Sequence, residues 1–158
     1  MNSLAFRERY PIVLYRRGNP MAHQPKKANS PLLTNLIYLA ELALLYNAAI
    51  LISVTLNLDW AKARAAGGQF ESFPIGVRVI YSGMFFGMIF LMLLLWRHRN
   101  IPLDAAGIRL TRIIGYVFIA STIVQLVSRS PEERTNALPA SIISLTFFLI
   151  SRRDREKK

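Results

Sequence analysis

The chain has 158 residues, of which 53% are hydrophobic and only 18% charged, yet 20 Lys and Arg against 9 Asp and Glu leave a net charge of +11. An average soluble domain is about 45–50% apolar and about 25% charged, whereas here the charges sit in blocks between long apolar runs. That pattern excludes a disordered chain, which lacks the apolar residues. It also argues against a nucleic-acid partner, whose binding domain would line one folded face with basic groups.

Residues 1–31 form a basic arm carrying Arg7, Arg9, Arg16, Arg17, Lys26 and Lys27. The apolar stretch Ile12-Val13-Leu14-Tyr15 is too short for the core of a cleaved signal peptide, and arginines follow it directly. Mixed with Phe6, Tyr10 and Tyr15, these cations suit contact with anionic headgroups or with a partner.

Four apolar segments then follow, and together they predict an all-α, four-helix transmembrane bundle over residues 32–151. The first is predicted over 32–58, with Ser30 as N-cap and Pro31 in the first turn. The second is predicted over 75–96, starting after Pro74, and the third over 107–128, with Arg109 and Arg112 near its start. The fourth, 137–151, is short and holds Ser141, Ser144 and Thr146; a basic tail, 152–158, follows it.

Charge distribution predicts the topology. The arm, the connection between the second and third spans (Arg97, Arg99, Arg109, Arg112) and the tail hold fifteen of the basic residues. The remaining five are Lys62, Arg64, Arg78, Arg129 and Arg134. Positive residues stay on the cytoplasmic side of short loops. Both termini are therefore expected inside, in a bacterial inner membrane or an organelle inner membrane, with an even number of spans.

Much chemistry is missing from the sequence. It has no cysteine and two histidines, His23 and His98, neither of them within a predicted span. Thiol redox chemistry, iron–sulfur ligation and intramembrane haem ligation are not expected. No Gly-rich phosphate loop, HExxH, GxSxG or paired carboxylate appears. No cofactor is predicted, and bound lipid is.

Glu41 is the one acid inside a span, and ionisable residues there are costly and often functional. It lies about 13–14 Å along the first helix from Leu32. Thr34 and Tyr38 share its face. By depth, Tyr116, Ser141 and Ser144 are its expected neighbours from other spans. A carboxylate in the first of four short spans resembles the small multidrug-resistance transporters in that feature alone; the basic arm and the other spans depart from their pattern, and no family is assigned.

Small residues mark expected helix-packing positions: Ser82, Gly83 and Gly87 on the second span and Gly115 on the third. Arg97, His98, Arg99, Arg109 and Arg112 are expected to meet headgroups or a partner at the inner face. Three functions fit. The first is a non-catalytic accessory or assembly subunit of a larger membrane complex, partnered by other membrane subunits and phospholipid. The second is a small proton- or cation-coupled transporter or channel using Glu41, as a homo-oligomer. The third is an inner-face lipid-modifying enzyme, for which anion-binding groups are present but no nucleophile.

Overall fold

The computed structural model describes residues 30–99 and 101–155, and the statements below concern those residues. Their regular structure is all helical, with no strand among them. In chain order the helices are α1 (Pro31–Thr55), α2 (Asp59–Lys62), α3 (Ile75–His98), α4 (Ala105–Leu126), α5 (Pro131–Thr135) and α6 (Ala137–Arg155); a 3-10 turn, Ala66–Gly68, lies between α2 and α3. The basic arm, with Arg7, Arg9, Arg16 and Arg17, lies outside the described residues.

Three helices, α1, α3 and α4, are long and apolar enough to cross a membrane. Their 25, 24 and 22 residues extend about 33–38 Å, against about 30 Å of hydrocarbon. The fourth long helix, α6, has 19 residues, and its last turn carries charges.

Helix ends follow local chemistry. Ser30 is extended, its Oγ accepts the Leu33 N–H at 3.2 Å, and Pro31 fills the first turn. At the other end α1 stops three residues short of the expected Leu58. Asn57 takes a left-handed conformation (φ 58°), where its Oδ1 accepts the Phe73 N–H at 2.8 Å and its Nδ2 donates to Ser72 Oγ at 3.2 Å. The α3 helix runs two residues past Trp96, because Arg97 and His98 suit the negative end of the helix dipole. The α4 helix starts two residues early, since Asp104 caps it by accepting the Gly107 N–H at 2.7 Å, and it ends at Leu126. Arginines likewise carry α6 past Ser151 to Arg155.

The long helices pack in the order α3, α1, α6, α4. The α6 helix lies between α1 and α4, α3 rests on α1, and α3 makes no extensive contact with α4. The main core joins Ile37, Ala40 and Leu44 of α1 with Leu95 of α3, Ile108 and Phe118 of α4, and Ile143, Phe147 and Ile150 of α6. The least apolar long helix is thus the central one. Its hydroxyls make this tolerable by bonding to carbonyls of both neighbours. Ser144 Oγ donates to Gly115 O (2.9 Å), Thr146 Oγ1 lies 3.2 Å from Leu36 O, and Ser151 Oγ lies 3.4 Å from Ile108 O.

The short elements form a cap over one end. Gly67 and Gly68 both have positive φ (72° and 68°), and this turn aims the Gly67 N–H at Glu133 Oε2, 2.8 Å away. Ser128 Oγ donates to the same carboxylate oxygen, and Ser130 Oγ donates to Ala63 O. Asn136 is buried and accepts from Tyr46 Oη at 2.9 Å while donating to Arg64 O at 3.1 Å. A second apolar cluster, Ile50, Val54, Ala61, Ala65 and Phe73, lies beneath this cap.

Candidate functional site

Glu41 lies within α1 at partial exposure, with its Oε1 buried and lacking a hydrogen-bond partner. Its surroundings follow from helical register. Tyr38, three residues before, lies under the Arg99 guanidinium just past α3, at 5.1 Å. Thr55, fourteen residues after, accepts Arg78 Nε on its carbonyl at 2.7 Å and lies 3.1 Å from Ser82 Oγ, both on α3. At about 100° per residue these two positions bracket Glu41 within about 60°. The carboxylate therefore sits on the α1 face that meets α3. That seam is lined at this depth by Leu91, Leu94 and Leu95.

The other residues expected beside Glu41 are engaged elsewhere. Tyr116 is exposed on α4 and meets Phe148 edge-on, with centroids 5.1 Å apart. Ser144 is spent on Gly115 O, and Ser141 is exposed and bonds back to Leu138 O at 2.7 Å. Thr34 is half-buried on α1. The carboxylate is thus set in an apolar seam and not in a polar cluster. Among the described residues no group of three or more His, Asp and Glu is placed to hold a metal ion.

The small residues divide. Gly115 is a true close approach: a Cβ there would come within 2.9 Å of the Phe148 ring. Gly83 and Gly87 are exposed, with no atom within 4 Å of an added Cβ, so none of the described helices packs on them. Ser82 alone of that trio faces α1, through Thr55. Only Leu95 and His98 of α3 are buried. Its outer surface carries Met84, Phe86, Phe90, Leu93 and Trp96, all exposed.

The basic residues gather at the end where α3 and α6 finish and α4 begins. Arg97 and Arg109 are exposed, Arg99 and Arg112 are half-buried, and His98 is buried. The Arg153 guanidinium reaches His98 O at 3.5 Å. Arg112 Nε is buried without a hydrogen-bond partner.

Sequence reasoning missed the cap residues Asn136 and Glu133. One signal was readable: Ser130-Pro131-Glu132-Glu133 has the S-x-x-E spacing of a helix start, and Ser130 Oγ does accept the Glu133 N–H at 3.3 Å. The described chain is thus an all-helical protein with three helices able to cross a membrane. It matches no protein family, and no similar curated protein or solved structure was found.

Proposed function

We propose that this protein is a non-catalytic accessory or assembly subunit of a larger membrane protein complex. The observation that carries the reading is α3, a spanning-length helix attached along one side and apolar over the rest. Gly83 and Gly87 lie open on that surface, and glycines let a second helix approach closely in lipid. The partnerless Glu41 Oε1 lies on α1, on the face turned toward α3. A carboxyl group in hydrocarbon favours a partner that supplies a hydrogen bond.

In this reading α6 makes a fourth crossing, shielded by α1 and α4, and both termini face the cytoplasm. The absence of native cysteine makes that testable with single-cysteine variants. Cysteine at Lys157 and cysteine at Gln69 are expected to label from opposite sides of the membrane. Labelling from one side would leave an even number of crossings between them, α3 and α4 alone, and remove the fourth span.

Native purification in mild detergent, followed by mass spectrometry, tests the function. Stoichiometric recovery with other membrane polypeptides supports a subunit role, and recovery as a homo-oligomer alone overturns it.

A second reading rests on Glu41 itself: a mid-span carboxylate in an apolar seam suits proton- or cation-coupled transport by an oligomer. Glu41→Gln separates the two. Loss of ion-coupled uptake with assembly intact favours transport; loss of partner recovery favours the subunit.

A further inference from the structure

We propose that the α4–α6 seam binds one anionic phospholipid, with its phosphate held by Arg109, Arg112 and Arg152 and its upper portion lying against Tyr116 and Phe148. The register of the two antiparallel helices is fixed by Ser144 on Gly115 O and Ser151 on Ile108 O. The edge-on contact of Tyr116 with Phe148 marks which side of that seam faces outward. Arg112 lies one turn before Tyr116 on α4, and Arg109 three residues before Arg112, so the three make a stripe. Arg152 lies one turn past Phe148 on α6, on that same side.

Side chains lean toward the start of their own helix. Arg112 therefore leans toward the α3–α4 loop, and Arg152, on the opposed helix, leans back along the seam toward it. The two approach one level from above and below. An ion pair of Lys62 with Asp59 forms at the far end; among the described residues none is seen for Arg109, Arg112 or Arg152. Arg112 Nε is buried and unpartnered beside this surface. Arginine forks match phosphate oxygens in pairs. Above them, exposed Ile113, Tyr116 and Leu145 offer an apolar strip for an acyl chain. A phosphodiester at a hydrocarbon boundary satisfies both the cations and the strip, which a free phosphate does not.

The test uses the full-length protein in detergent, titrated separately with phosphatidylglycerol, phosphatidylcholine and inorganic phosphate, with native mass spectrometry counting bound lipid. One phosphatidylglycerol is expected to be retained per chain, in clear preference to phosphatidylcholine. Arg112→Gln and Arg152→Gln are each expected to weaken it about fivefold, and Arg134→Gln, in the distant cap, is expected to leave it unchanged. Equal retention of phosphatidylcholine by the unaltered protein would overturn the proposal, independently of how any variant folds. Suppression of phosphatidylglycerol binding by millimolar inorganic phosphate would assign the site to a free anion and overturn it as well. Unchanged binding in both Arg112→Gln and Arg152→Gln would place the lipid elsewhere.

Discussion

Replacing Asn136 by alanine should loosen the cap from the long helices by about 2–3 kcal/mol. Asn136 is 3% exposed, and its amide joins three segments, accepting from Tyr46 Oη on α1 and donating to Arg64 O past α2. Each of these hydrogen bonds contributes about 1 kcal/mol net. Truncation also leaves the Arg64 carbonyl without its partner, which adds up to about 1–3 kcal/mol where water cannot enter. Tyr46 is 37% exposed, so its hydroxyl keeps other outlets and the total stays near the lower bound. Tyr46→Phe alone should cost about 1 kcal/mol. The double variant should fall short of additivity by about 1 kcal/mol, because the shared bond is lost once. Denaturant titration in mixed micelles, read by fluorescence, reports this, since Trp60 lies on α2 beside the cap. An Asn136→Ala effect below about 0.5 kcal/mol, or full additivity with Tyr46→Phe, would refute the staple.

Other variants probe the seams and the carboxylate. Gly115→Ala should destabilise by about 1–3 kcal/mol, because its Cβ meets the Phe148 ring at 2.9 Å. Gly83→Ala and Gly87→Ala should do the opposite in the isolated chain, gaining about 0.5–1 kcal/mol each of helix propensity, while lowering partner recovery from native membranes. Glu41→Leu should raise the stability of the isolated chain by about 1–3 kcal/mol, since it removes a buried oxygen with no partner. An unchanged melting curve would contradict that placement. In the cap, Glu132 is held below the usual carboxylate range by its own backbone N–H and by the Ser130 hydroxyl, with Arg64 adding to the effect. A lowered folded-state pKa contributes stability above the ordinary carboxylate pKa and loses it as the pH falls through the folded value. The protection of the 128–136 amides, taken relative to their intrinsic exchange rates, should therefore fall on acidification from about pH 6 to about pH 3.

The legible part of the fold was the part written in apolar length. Ser30, Pro31 and Pro74 mark helix starts that the structure repeats. The ends were less readable, because Asn57 stops α1 through contacts with Ser72 and Phe73, residues that only a folded loop brings near. The α6 segment is short and rich in hydroxyls, and those same hydroxyls tie it to both neighbours. Hydropathy counts such groups as a cost and cannot register the carbonyls that offset it. For Glu41, periodicity identified the face it shares with Tyr38, but not the helix opposite. Depth alone pointed to Tyr116, Ser141 and Ser144, whereas the structure sets that face against α3. Small residues were ambiguous for a related reason. Gly83, Gly87 and Gly115 look alike in sequence, and only Gly115 has a neighbour from its own chain.

If the proposed subunit role holds, the uncovered face of α3 is where the partner docks. Photocrosslinking amino acids placed at Phe86 and Phe90, both exposed on that face, and at Val124 on α4 as the comparison, test this in intact membranes. A discrete adduct with a different membrane polypeptide from Phe86 and Phe90, absent from Val124, is the predicted result. Adducts with lipid alone from all three positions would contradict the subunit assignment.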